Sequence, residues 1–274
     1  MSKQREYNIA VCLPTRGRTD ALSRSVISLV NRASNIDGVQ FMLGFDKDDD
    51  IGQSHFTNTL QPWLDEKGVN YTAMIFEPLG YIRLNEYVNT LAKASDADWF
   101  MFWNDDAAME TTGWDRVITN YTGQFKLLAV HTHRDHPYSI FPIVPCAWLD
   151  TLGHLSPHQI SDCWLSQVAY MLDIWERIPV WVTHDRYDLT GNNNDSTFKN
   201  RVMLEGNVSD PRDFNHKSWV LRRLEECQQL SEYMKGQGLD STWWENVFKH
   251  QQDPWVKLHE NDPNNQVKSW KVEY

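Results

Sequence analysis

The feature that most constrains this chain is an alternation over roughly its first 130 residues, where short apolar runs of strand length take turns with segments of helical period. That pattern predicts an α/β domain with a mostly parallel sheet flanked by helices. Residues 8–13 form the first apolar run, ended by Pro14. Thr19 is then placed to cap a helix in which Leu22, Val26, Leu29 and Ala33 recur at helical spacing. Residues 39–45 and 71–76 give two further strands, Leu84, Val88 and Leu91 mark a second helix, and residues 99–103 read as a buried strand. Later, residues 127–131 and 180–183 look like strands, and Trp164, Val168, Met171 and Trp175 share one helical face. Beyond Gly191 the pattern turns helical, with Val220, Leu224, Cys227, Leu230 and Met234 on one stripe. The expected division is a domain over residues 1–195 and a helical, Trp-rich extension over 196–274.

Two acidic clusters fall directly after strands: Asp46-Lys47-Asp48-Asp49-Asp50 after the second, and Asn104-Asp105-Asp106 after the fourth. Open α/β sheets bind ligands at the carboxyl ends of their strands, so placement matters more here than acidity itself. An acidic pair in that position suits a hard divalent cation that bridges carboxylates and substrate phosphates, and it equally suits a solvated turn. The Asp46, Asp48, Asp50 spacing invites an EF-hand reading. Ile51 at the glycine position and Thr57 at the terminal glutamate position reject it. Asp48 to Asp50 read more simply as a turn.

The stretch Leu79-Gly80-Tyr81-Ile82-Arg83-Leu84-Asn85, a helix, and then Asp98-Trp99-Phe100-Met101-Phe102-Trp103-Asn104-Asp105-Asp106 resembles family 2 and related GT-A glycosyltransferases. In those enzymes a glycine and an Arg-Asn-type helix start precede a strand that carries the DxD metal motif. Val11-Cys12-Leu13-Pro14-Thr15-Arg16-Gly17-Arg18 is similar to the first strand and nucleotide-contacting loop of that family. The resemblance covers about the first 190 residues. It implies a GT-A domain that uses a nucleotide diphosphate sugar as donor, with Mn²⁺ or Mg²⁺, and transfers the sugar to a hydroxyl acceptor.

By the same resemblance, Asp106 binds the metal and Asp105 contacts the donor ribose or metal-bound waters. Asn104 departs from the commoner Asp; its carbonyl oxygen can still coordinate or hydrogen-bond, without charge. Asp46 occupies the place of the acid that hydrogen-bonds the nucleobase. Pro14, Thr15, Arg16, Arg18 and Arg83 fall in donor-binding positions, although single arginines also serve as plain surface charges. Asp162, in Ser161-Asp162-Cys163-Trp164, matches the region of the family's catalytic base. An Asp in a first helical turn is also favoured by the macrodipole alone. His184 either completes the metal site or is a strand-end histidine bonded to backbone. His131, His133 and His136 have spacing that suits an acceptor cleft.

Several function classes are disfavoured by the whole sequence. No run of 18 apolar residues occurs, and the start moves from a polar leader into a strand-like run, which reads as a cytoplasmic chain. Cys12, Cys146, Cys163 and Cys227 form no CxxC pair, so they read as reduced thiols and not as a zinc site or disulfide framework. A net charge of −11 argues against nonspecific polyanion binding, though not against a local basic groove. Two acceptor classes stay open, a hydroxymethylated base in DNA, as in phage-type enzymes, and a surface glycan. Trp219, Arg222 and Arg223, with Trp243, Lys249, Trp255, Lys257, Trp270 and Lys271, are either a strand-gripping set or packing tryptophans with snorkelling cations. Nucleotidyl transfer lacks the Gly-rich phosphate cradle it needs. A noncatalytic sugar- or nucleic-acid-binding module would differ by releasing no nucleoside diphosphate.

Overall fold

The continuous apolar runs within residues 7–15, 39–46 and 97–102 become strands because they are covered on both faces, as the centre of a parallel sheet requires. The computed structural model of the chain describes residues 5–132, 138–185 and 209–241. Strands β1 (Tyr7–Thr15), β2 (Val39–Asp46), β3 (Asn70–Phe76) and β4 (Ala97–Phe102) pair in parallel, with β1 between β2 and β4. Four more strands continue the sheet: β5 (Ala107–Met109), β6 (Leu127–Thr132), β7 (Ile143–Pro145) and β8 (Trp175–His184). The order is β3-β2-β1-β4-β7-β6-β8-β5, with β7 antiparallel to β4 and β6, β8 parallel to β6, and β5 antiparallel to β8. Chain order reverses between β1 and β4, and the crevice beyond their carboxyl ends is the place where such sheets bind ligands.

One face of the sheet is covered by α1 (Thr19–Arg32), by α2 (Asp50–His55) running through a π-helical turn into α3 (Gln61–Glu66), and by short α5 (Trp114–Thr119). The other face carries α4 (Leu84–Lys93), α6 (Cys146–Leu152), α7 (Ser161–Met171) and α8 (Lys217–Gly236). Cys227, Leu230 and Met234 of the predicted stripe are buried in that second core, packed with residues of α6 and α7. Thus α8 shares a core with the sheet. Among the described residues no helix is long and apolar enough to cross a membrane.

Four details differ from expectation. The first strand continues through Pro14 to Thr15, because pairing with β4 stops at Cys12 and the missing N–H of Pro14 forfeits no ladder bond there. Thr19 is the first helical residue of α1 and not its cap; Arg18 holds that position without a side-chain cap bond. Helix α7 ends at Met171, and Asp173 in a left-handed conformation (φ 58°) turns the chain, so Trp175 opens β8 instead of extending the helical face. Strand β8 itself starts well before residue 180. Pro179 conceals that start in the sequence, and it sits where the β6–β8 register shifts, a position that tolerates proline.

The basic and aromatic residues of α8 and the segment before it engage partners within the chain to different depths. Arg223 is fully buried, its guanidinium 4.2 Å from the Phe214 ring centroid and 5.0 Å from that of Trp164, and its Nη1 donates to the Phe214 carbonyl at 3.0 Å. Arg222 reaches Glu226 (3.2 Å) and Glu225 (3.4 Å), and the Trp219 indole N–H donates to the Pro211 carbonyl at 2.7 Å. Of these three members of the strand-gripping set that the sequence left open, Arg223 is a packing cation, while Trp219 and Arg222 are partly exposed and bonded within the chain. The remaining members of that set, from Trp243 to Lys271, lie outside the described residues.

Glu226, also fully buried, accepts from the Trp164 indole N–H at 2.7 Å. Burial pushes its carboxyl up to about 7, against the opposing pull of Trp164, Arg222 and Arg223. A carboxyl raised in the folded state contributes stability that is full below its unfolded value near 4.5 and is lost as pH rises through about 7. His154 and His158, pushed down to about 4 chiefly by burial, act in the opposite sense as pH falls. The expected result is that Glu226→Gln removes a stability decrement between pH 4.5 and 7. Denaturant titrations of both proteins across that window check it, and identical pH slopes would contradict it.

Candidate active site

The loop from β1 to α1 is only three residues long, so Arg16, Gly17 and Arg18 stay at the carboxyl edge of the sheet beside the segment that follows β4. Gly17 turns the chain with φ 68°, a region that penalises side chains, while its N–H donates to Asp49 Oδ2 at 2.8 Å. The segment after β4 is tied down from α1. The Trp103 indole N–H donates to Ser25 Oγ (2.7 Å), Ser25 Oγ donates to the Asn104 carbonyl (3.2 Å), and the Met109 N–H donates to Ser28 Oγ (2.8 Å). Strand β8 runs in the direction of β4, which brings His184 to the same edge.

Five predicted residues meet there. Asp105 is buried; it accepts from Thr15 Oγ1 at 2.7 Å and from Arg18 Nη1 at 3.0 Å. The same Arg18 nitrogen donates to Asp106 Oδ2 at 3.1 Å. On the other side of that carboxylate, His184 Nε2 stands 3.2 Å from Asp106 Oδ1, and the Asp185 N–H donates to the Asp106 carbonyl at 2.9 Å. Burial pushes the Asp105 carboxyl up to about 6 despite Arg18 and Thr15. At Asp106 burial acts the same way, yet His184 and Arg18 together outweigh it and hold the carboxyl below its ordinary range.

The site's fitness for a divalent cation rests on one orphaned atom. Asp106 Oδ1 is buried and makes no hydrogen bond of full geometry among the described residues; His184 Nε2 faces it at 3.2 Å. A separation of 3.2 Å is close to the roughly 3 Å between adjacent ligands of an octahedral ion bound at about 2.1 Å. Among the described residues no three His, Cys, Asp or Glu side chains gather in metal-holding geometry. A cation held between Asp106 and His184 would take its other ligands from water and phosphate oxygens, as Mg²⁺-type sites commonly do. Asn104 is exposed, and its side chain makes no hydrogen bond with this cluster among the described residues.

A second constellation lies at the end of β2. Asp46 is buried, accepts from Arg16 Nη1 at 2.6 Å, and receives a very short hydrogen bond from the Tyr87 hydroxyl on α4. Arg16 also grips Asp48 through two nitrogens, at 2.5 and 2.9 Å. Asp49 is the N-cap of α2, accepting from the Gly52 N–H at 3.0 Å. These acids therefore form a structured turn and helix start, with no calcium loop. Loss of an Asp cap costs about 1 kcal/mol, and Asp49 also holds the Gly17 N–H, so Asp49→Ala is expected to destabilise by about 1–2 kcal/mol in denaturant titration. No change in midpoint would contradict that role.

The structure does not bring every predicted residue into contact. Arg83 is bidentate to Glu86 at 2.5 Å on its own helix start and makes no bond to the Asp105–Asp106 cluster among the described residues. Asp162 lies in the first turn of α7 and accepts from the Cys163 N–H at 2.8 Å. Helix α7 leads through a three-residue turn into β8 and packs on β6 and β8. His131 stacks on Trp181 (4.4 Å between centroids, 15°), and His133 and His136 lie outside the described residues. Tyr87, Ser25 and Asp49 were missed as site-forming residues. Only Asp49, three residues before Gly52 at a helix start, left a capping signal.

No known protein-family profile matches the chain, and no curated protein sequence matches it. Solved structures do. A mannosyltransferase, PcManGT from Pyrobaculum calidifontis, in complex with GDP-Man and Mn²⁺, superposes with a TM-score of 0.55 at 11% identity, over 88% of this chain and 69% of that one. Residues 1–349 of TarS from S. aureus, in complex with UDP-GlcNAc, give 0.54 at 13% identity over 92% and 80%. The same TarS segment with UDP gives 0.51 at 12% identity over 83% and 70%. At such identities the likeness speaks for architecture. The chain has the GT-A glycosyltransferase fold, with the acidic pair at the topological switch point of its sheet.

Proposed function

We propose that this protein is a metal-dependent glycosyltransferase that moves a sugar from a nucleoside diphosphate donor to a hydroxyl acceptor with inversion. The observation that carries the reading is the Thr15–Asp105–Arg18–Asp106–His184 cluster beyond the carboxyl ends of β1, β4 and β8, in a GT-A fold. PcManGT was crystallised with GDP-Man and Mn²⁺, and TarS with UDP-GlcNAc, which supports the donor class. Asp106 and His184 would hold Mn²⁺ or Mg²⁺, which supplies Lewis-acid neutralisation of the charge that builds on the departing diphosphate. Asp105, fixed by Thr15 and Arg18, orients the donor ribose or ion-bound water, while Arg16, set by Asp46 and Tyr87, borders the nucleotide side.

Asp162 accepts the proton of the acceptor hydroxyl. That oxygen bonds to the anomeric carbon as the bond to the diphosphate oxygen breaks, and the bonding pair leaves with the diphosphate. Of the two acceptor classes, a glycan hydroxyl is favoured over a hydroxymethylated DNA base, because Arg223 is engaged in packing and Trp219 and Arg222 are bonded within the chain. Mass spectrometry of products from a panel of nucleotide sugars, with sugar acceptors and hydroxymethylcytosine duplex in parallel, tests both levels. Transfer to the duplex in preference to sugars would reverse the acceptor assignment, and absence of diphosphate release with every donor would leave a binding module.

A further inference from the structure

Resting on that metal-dependent reading, we infer that Arg18 is a resident counter-cation of the acidic pair, which competes with the divalent ion for Asp106 and passes to the diphosphate when the ion-bound donor enters. One guanidinium nitrogen serves both carboxylates, 3.0 Å from Asp105 Oδ1 and 3.1 Å from Asp106 Oδ2. On the opposite side of Asp106, Oδ1 is left to His184 without a hydrogen bond of full geometry. The guanidinium thus covers one oxygen of the carboxylate and leaves the other for a cation.

A dication on that carboxylate would share it with a guanidinium only a few ångströms away. Like charges so placed, on side chains only partly exposed to water, repel. Asp105 keeps its own partner in Thr15, so it is not stranded when Arg18 departs. Arg18 sits at the N-cap position of α1, on the short β1–α1 loop, its side chain is 34% exposed, and it belongs to neither apolar core. Among the contacts it gives up are two charge-assisted hydrogen bonds. Diphosphate oxygens return them, because a planar guanidinium is shaped for bidentate phosphate recognition. Arg18 therefore opposes the bare ion and supports the ion–nucleotide complex. A purely structural arginine would do neither, and a purely phosphate-binding one only the second.

The experiment is a Mn²⁺ titration, with free ion read by electron paramagnetic resonance, on wild type, Arg18→Gln, Arg18→Lys and Asp106→Asn. It is run with the ion alone and then with saturating UDP or GDP. With Mn²⁺ alone, Arg18→Gln is expected to bind about tenfold more tightly than wild type, and Arg18→Lys, which keeps the charge, to stay within about threefold. With nucleotide present the order reverses, and Arg18→Gln binds about tenfold more weakly. Mn²⁺ alone binding no more tightly to Arg18→Gln than to wild type overturns the exchange. If that happens while Asp106→Asn still loses the ion, only the exchange falls. If Asp106→Asn retains wild-type Mn²⁺ affinity, the ion is not at Asp106 and the metal reading falls with it.

Discussion

Asp106→Ala is expected to leave the protein folded and to lower sugar transfer by roughly a thousandfold, the scale of losing a principal electrostatic stabiliser of a leaving group. The fold should survive because the Asp106 side chain is 24% exposed and contributes to no apolar cluster. Its main-chain contacts, the Asp185 N–H on its carbonyl among them, do not depend on the carboxylate. Arg18 retains Asp105 as a partner, so no buried cation is stranded. Thermal melting and nucleoside diphosphate release, measured on one preparation, check both halves. A variant that melts like wild type and also turns over like wild type would remove Asp106 from the chemistry.

Asp162→Asn is expected to keep donor affinity and lose about 10²–10⁴-fold in transfer, the usual contribution of a positioned general base. The amide preserves the shape of the side chain and, through its carbonyl oxygen, the bond accepted from the Cys163 N–H. It removes the oxygen that takes the proton. A change in kcat with little change in donor binding separates this role from the helix-start role, which the amide also serves at somewhat less dipolar advantage. Transfer at a near wild-type rate would leave Asp162 as a helix-start residue only.

Strands β1, β2 and β4 were legible because burial on both faces writes a parallel strand as a continuous apolar run, and Ile9 to Leu13 and Phe41 to Leu43 are all fully buried. Their ends were legible for the opposite reason, since Asp46 and Asp105-Asp106 interrupt those runs with charge. Strands β5 and β7, of three residues each, carry too few side chains to show a period, and the antiparallel half of the sheet was correspondingly hidden. The site was legible as residue types but not as pairings. That Arg18 serves two carboxylates while Arg16 serves Asp46 and Asp48 depends on loop geometry across about 30 to 90 positions of sequence, which no local pattern encodes. The same holds for Arg223. A cation among aromatics reads equally as a polyanion grip or a packed core, and only its burial between Phe214 and Trp164 decides.

The central claim is that a divalent ion held by Asp106 and His184 drives departure of a nucleoside diphosphate from a sugar. Its most direct test is diphosphate release from a panel of nucleotide sugars, with the chelated protein assayed in EDTA and again after Mn²⁺ or Mg²⁺ is restored. The account predicts release from at least one donor with metal, none above background in EDTA, and full recovery on restoring the ion. Undiminished release in EDTA would contradict it.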